Sequence, residues 1–249
     1  MDGLRKEFLW MYSTLHEAGE EEIDKATLLL ASSPESLLDS DLSVGQINYV
    51  IWSDIYQCPE CAHEMSFWDV AVDVDNGKVR DNFNCPSCAS SLTKRSCEIS
   101  YETKYDDFLK KSVRRVKQKP VIINYSVGGA SKQGRFEKTP DAFDLKLIEV
   151  IEERQFDVRV PSEELILGKE TRRNESIGID HVHQFYTKRN LVCFGRSFYN
   201  FPLELRWITT GSIQRGSKQH QIAITRIGGP KAGEGGATAG HRRGTLYVP

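Results

Sequence analysis

Leu4, Phe8, Met11 and Leu15 recur at the three-to-four-residue spacing that lays an apolar stripe along one face of a helix, which predicts an amphipathic helix over residues 2 to 17. A second helical stretch is expected through Glu20 to Ala31, interrupted at Ser33-Pro34. The pattern then changes period. Ile47 to Trp52 reads as a strand, as does the alternating segment from Glu98 to Tyr105, and Val121 to Tyr125 gives a third apolar run of strand length. A further helix is predicted from Pro140 to about Arg154, with Phe143, Leu147, Ile148 and Ile151 sharing a face and Thr139-Pro140 supplying a cap and first-turn proline. Tyr186 to Leu191 opens one more helical stretch, and Trp207 to Thr210 has strand character.

Between the first two strands the chemistry becomes specific. Cys58-Pro59-Glu60-Cys61 and Cys85-Pro86-Ser87-Cys88 are two Cys-x-x-Cys pairs, with Phe67 to Val72 and Lys78 to Phe83 reading as strands on either side of a turn at Asp75-Asn76-Gly77. A hairpin of that kind brings the two pairs face to face. Four thiolates so gathered are the donor set of tetrahedral zinc, so Cys58, Cys61, Cys85 and Cys88 are the predicted metal ligands of a zinc ribbon. Two disulfides, redox pairs or plain buried thiols could use the same cysteines. Nothing at the N-terminus has the pattern of a signal peptide, so a reducing cytoplasmic setting is expected, which favours metal. A site closed by four sulfurs holds structure together and leaves no coordination position for chemistry.

The bulk figures narrow the field further. In 249 residues, 39% apolar and 10% aromatic, there is enough for a sizeable core, and no apolar run reaches the length of a membrane span. The formal net charge of −2 conceals an uneven distribution. Up to Asp41 the balance is strongly acidic, and from Arg206 onward seven Lys or Arg face only Glu234. Lys110 to Lys119 concentrates six positive charges ahead of Pro120, as a phosphate-facing stripe or a solvated edge kept soluble by lysine. Gly128 to Gly134 contains neither dinucleotide nor phosphate-loop spacing and reads as a hairpin turn, while the seven glycines of Gly228 to Gly244 read as a tail that is mobile or waits for a partner.

His181 and His183 alternate, so on an extended segment they would face one side, as shared ligands or phosphate contacts, as shapers of a base pocket, or as hydrogen-bonded structural residues. Arg172, Arg173, Lys188, Arg189, Arg215 and Lys218 join Lys110, Lys111, Arg114, Arg115 and the two histidines as candidate DNA contacts, because Arg and Lys on loops and helix starts suit backbone phosphates. Cys193, among Leu191, Val192 and Phe194, reads as a small apolar residue, and Cys97 as a thiol outside the ribbon pattern.

Several stretches in order resemble the zinc-ribbon-containing bacterial DNA methyltransferases that modify the exocyclic amino group of adenine or cytosine. They are Gln46 to Asp54, the first Cys-Pro-x-Cys, Phe67 to Asp73, Gly77 to Val79, the second Cys-Pro-x-Cys, Leu92 to Arg95, Pro120 to Val127, Gly178 to Leu191 and Gly244 to Pro249. The resemblance spans most of the chain. It implies a mixed α/β fold, a partial methyltransferase-like domain divided as an N-terminal helical segment (1–45), a zinc-ribbon insertion with flanking strands (46–105) and an incomplete α/β region (106–249). It also implies S-adenosylmethionine as the cofactor of the complete enzyme and DNA as partner. The family's glycine turn for that cofactor and its Asp/Asn-Pro-Pro-Phe/Tyr motif have no counterpart here: there is no Pro-Pro dipeptide, and Cys193 to Arg196 lacks a second glycine. Ala62 and Ala89 stand where a glycine commonly follows each knuckle. The expectation is therefore the middle of a methyltransferase, a truncated or split form needing complementary segments, with no catalytic or cofactor-binding residue assigned. A stand-alone zinc-ribbon module binding nucleic acid or protein, and a degenerate remnant, are the competing expectations.

Overall fold

The computed structural model describes residues 7–74, 76–128, 134–169 and 171–199. Leu4, the Trp207 to Thr210 strand, Arg215, Lys218, the glycine-rich tail and Gly244 to Pro249 lie outside them. The fold is mixed α/β, and every strand pair among the described residues is antiparallel.

Its axis is one long strand, β2 (Val44–Gln57). The first part of β2 lies between β1 (Ser13–Leu15) and β11 (Gln118–Ser126), and β11 in turn pairs β12 (Arg135–Lys138). The end of β2 is paired instead by β3 (Glu64–Ser66) and β8 (Glu98–Ile99). A single strand is thus shared by the main sheet and the cysteine-bearing module. The segment limits expected at 45/46 and 105/106 fall inside elements: Gly45 is within β2, and β9 (Tyr101–Asp106) pairs along its whole length with β10 (Lys111–Val116).

Ile47, Val50, Ile123 and Tyr125 form the buried face of the β2–β11 pair. A second core lies where helix α1 (Glu20–Ser32) and helix α3 (Ala142–Glu153) pack together, through Ala26, Leu30, Phe143, Leu147 and Ile151, with Trp10 and Met11 from the N-terminal segment. Both helices follow the predicted periodicity. The cap differs, since Asp141 rather than Thr139 is the N-cap of α3, accepting from the Asp144 N–H while Asp144 accepts from the Asp141 N–H.

The N-terminal helix ends earlier than the apolar spacing predicts. Residues 7–9 are helical, Trp10–Tyr12 tightens into a 3₁₀ turn, and Ser13–Leu15 leaves as β1. The reason is tertiary. Ser13, Thr14 and Leu15 are all buried, so the segment has no solvent face, and extension lets Thr14 donate to Asp144 at 2.6 Å. Asp144 is 1% exposed, and desolvation raises its pKa against the pull of Lys138, whose Nζ stands 2.9 Å from it and also meets Asp141 and the Leu15 carbonyl. Lys138→Met would leave that carboxylate buried without its cation. The expected cost is about 3 kcal/mol, read as a lower urea midpoint, and a variant as stable as the parent would show that the pair contributes nothing net.

Candidate metal centre

The first knuckle begins where β2 ends. Cys58 N–H donates to the His63 carbonyl and Ala62 N–H returns to the Cys58 carbonyl, at 3.0 and 2.9 Å. The second repeats this pattern: Cys85 N–H to the Ser90 carbonyl and Ala89 N–H to the Cys85 carbonyl, at 2.9 and 3.0 Å. Each knuckle closes a short hairpin, β2 with β3 for the first, and β6 (Asn82–Asn84) with β7 (Ser91–Thr93) for the second. In both, the first cysteine is buried and the last is exposed.

The expected arm Phe67 to Val72 is not a strand. Phe67–Ala71 is one helical turn, α2, and only Val72 and Asp73 pair with Val79 and Lys78, as β4 and β5. Helical spacing puts Phe67 and Ala71 on the same face, both buried against Phe83 and Met65, while the Trp68 N–H is held by the Ser53 hydroxyl at 3.0 Å. The knuckles meet through the two short hairpins rather than one long one.

They do meet. The four Sγ atoms lie within 4.8 Å of one another, with Cys58 to Cys88 and Cys61 to Cys85 each at 3.7 Å. Four sulfurs about 2.3 Å from one ion stand about 3.8 Å apart along the edges of a tetrahedron, so the donor set fits zinc. Without a cation the thiols split in behaviour. The Ser90 hydroxyl and N–H hold Cys88 down to about 6. For Cys61 the His63 N–H pulls down, but desolvation and the neighbouring sulfurs outweigh it and push the thiol up to about 11. A dication removes that conflict by stabilising all four as thiolates.

Ala62 and Ala89 adopt φ of 57° and 60°, the left-handed region a glycine would occupy freely. That conformation costs an L-residue about 1–2 kcal/mol.

The remaining predicted residues separate into two groups. Lys110, Lys111 and Arg114 are exposed on the β9–β10 hairpin, Lys110 in its turn with φ of 54° and Arg114 stacked 3.8 Å over the Tyr101 ring. Arg172 and Arg173, in helix α4 (Arg172–Glu175), are exposed beside this hairpin: Tyr101 donates to the Ser176 carbonyl at 2.7 Å, and Gly178, at φ 78°, lies so close to β10 that a Cβ there would stand 2.0 Å from the Arg114 carbonyl oxygen. The other candidates turn inward. Arg115 pairs with Asp106 at 3.1 Å. His183, 2% exposed, sets Nε2 2.9 Å from the same carboxylate, which its partners hold below the usual range against desolvation. Lys188 pairs with Asp107 at 2.8 Å, and Arg189 is buried, donating to the Met11 carbonyl. Lys188 and Arg189 start helix α5 (Lys188–Tyr199) and, like His183, turn to partners within the protein. His181 bonds Asp180 at 2.6 Å, its ring 5.9 Å from that of His183, and the pair share no cluster of metal donors among the described residues.

Cys193 to Arg196 lies within α5, not in a turn, and Gly195 is there for close packing, since a Cβ would meet the Arg159 carbonyl at 2.8 Å. It offers no cradle for S-adenosylmethionine. No helix among the described residues is long and apolar enough to cross a membrane. No protein-family model, curated protein or solved structure matches this chain. Fold and site together define a mixed α/β protein with a four-cysteine cluster of zinc-ribbon type that could hold a metal ion.

Metal analysis of the reduced chain should find one zinc per molecule, released on acidification because protons compete for the thiolates. Cys58→Ser should abolish stoichiometric retention and loosen the ribbon resonances by NMR, and full retention by that variant would rule the ligand set out. Replacing Ala62 and Ala89 together by glycine should raise the zinc-loaded stability by about 0.5–1 kcal/mol per site, left-handed relief less the entropy of glycine, and a fall in denaturant midpoint would contradict the strain.

Proposed function

We propose that this chain is the DNA-holding part of an amino-group DNA methyltransferase, organised by a zinc ribbon and completed by segments that bring S-adenosylmethionine and the catalytic motif. The ordered run of motifs described above, Cys58 to Cys88 included, supports the family. The observation that carries the DNA role is the cationic hairpin, where exposed Lys110, Lys111 and Arg114 adjoin exposed Arg172 and Arg173. Such a surface suits backbone phosphates and reads no sequence. The ribbon belongs to the same unit because β2, which carries it, pairs with β11 one residue after β10 ends. Methyl transfer itself falls to groups outside the described residues.

A stand-alone binding module is the second reading, favoured by a metal site that keeps no open position. Where that module binds nucleic acid rather than protein, the two readings share DNA binding and differ in what complementary segments add. Zinc-loaded chain should bind duplex DNA with an affinity that falls steeply with salt. Reversing Lys110, Lys111 and Arg114 to Glu should weaken binding at least tenfold and lower the slope of log K against log salt by about 2–3. Salt-independent or absent binding would overturn the DNA role. Methyl transfer to DNA on adding complementary segments distinguishes the enzyme part from the module.

A further inference from the structure

The four sulfurs of the metal centre are not equally accessible. Cys58 and Cys85 are 1% and 2% exposed, whereas Cys61 and Cys88, the last residues of their knuckles, are open to solvent. Four protein sulfurs leave a tetrahedral ion no open position, so the atoms that a small reagent meets first at this centre are the sulfurs of Cys61 and Cys88. A sulfur fit to hold zinc is deprotonated, and the deprotonated sulfur is also the form that attacks an electrophile.

Each exposed sulfur has a buried one beside it on the opposite knuckle. Cys88 lies 3.7 Å from Cys58, and Cys61 lies 3.7 Å from Cys85. A disulfide brings two sulfurs to about 2.05 Å, so each member of a pair has to move roughly 0.8 Å. Pairing in this sense joins the β2–β3 hairpin to the β6–β7 hairpin and links residues 30 and 24 positions apart. Pairing inside each Cys-x-x-Cys would leave the two hairpins joined only by the chain between them and by the ribbon core. The longer loops remove more freedom from the unfolded chain, so cross-knuckle links favour the docked arrangement. Cys97, partly buried against the ribbon core, is the competing thiol.

We infer that the four-cysteine centre is an oxidant-responsive site, at which hydrogen peroxide joins Cys88 to Cys58 and Cys61 to Cys85 so that the ribbon gives up metal while its hairpins stay docked. The exposed Cys88 thiolate attacks one peroxide oxygen, the O–O bond breaks, and the sulfur becomes a sulfenic acid as hydroxide leaves. The Cys58 thiolate then attacks the Cys88 sulfur, forming the S–S bond and expelling a second hydroxide. Cys61 and Cys85 follow the same course. Each disulfide passes two electrons from its sulfurs to one peroxide, the hydroxides being protonated to water, and four thiolates consume two peroxides. A disulfide sulfur is no longer an anionic donor, so the ligand set for a dication is lost, and a thiol reductant restores it. The inference rests on the metal-centre reading and is independent of the DNA role.

The full chain is loaded with zinc, its metal content is measured, and hydrogen peroxide is added in steps while a chromogenic chelator reports free zinc. One zinc should appear for every two peroxides consumed. Alkylated, unreduced tryptic digests should then show peptides 26–78 and 81–94 joined, with fragmentation reading Cys58 to Cys88 and Cys61 to Cys85. The amide resonances of Phe83 and Leu92 should shift yet stay dispersed, and dithiothreitol with zinc should restore the starting spectrum. Cys97→Ser should leave release and pairing unchanged. Disulfides within Cys58–Cys61 and Cys85–Cys88, any bond to Cys97, or zinc held through a large excess of peroxide overturns the device. Zinc content before oxidation separates the two failures: a chain that never loads the ion overturns the metal centre and this device together, and a loaded chain that keeps its ion or pairs otherwise overturns the device alone.

Discussion

Four cysteine sulfurs share a space under 5 Å across, a donor set that could hold a metal ion and that as four thiolates would require one, and the cysteine-bearing module is built around it. Its own core is small: Met65, Phe67, Phe83 and Leu92 with Tyr56 and Ala71. A fully buried apolar side chain contributes about 1.5–3 kcal/mol, whereas zinc bound at such a site contributes on the order of 10 kcal/mol. A bound ion would therefore match several core residues and decide whether the two hairpins dock. It would also offset alanine at two left-handed positions. A penalty of about 1–2 kcal/mol per knuckle is small beside metal binding, though it would matter in a loop without a ligand.

The module is held in place by backbone rather than by a side-chain interface. Because β2 serves both sheets, the Cys58 sulfur lies one residue past a strand whose other end is clamped by β1 and β11. Ion pairs reinforce the join: Lys117 with Glu64 and Lys119 with Asp69 tie the strand after the basic hairpin to the ribbon. These pairs are half-exposed, so each contributes at most about 1 kcal/mol. Their effect is on orientation, with the strand pairing supplying most of the rigidity.

The parts of this architecture legible in the sequence are those whose cause is local. Cys-x-x-Cys spacing restricts the chemistry by itself, and α1 and α3 follow from apolar periodicity over twelve or more residues. Phe67 to Ala71 was not legible as helix, because a mostly apolar segment of five residues fits either period and only the ribbon core decides between them. Ser13 to Leu15 continued a helical stripe, yet a buried carboxylate 130 residues away favours extension. His183 looked like a surface candidate for the same reason. Its partner, Asp106, lies 77 residues earlier, and no spacing rule connects them.

The basic run illustrates how tertiary structure divides a feature that looks uniform in sequence. Strand geometry sends alternate side chains to opposite faces, so Val113 and Arg115 line a cavity while Arg114 between them lies over Tyr101. The face lining the cavity is fixed further by Gly178, because only a residue without a Cβ can approach the Arg114 carbonyl at that distance with φ of 78°. This contact sets Ile177 and Ile179 on either side of the glycine against the hairpin, and both line the cavity. One close approach of backbone to backbone thus places Arg172 and Arg173 beside Lys111 and Arg114 on the outside. On the inside it sets Arg115, His183 and Gln184 along the lining of that cavity, so the charged surface and the cavity are two sides of the same strand.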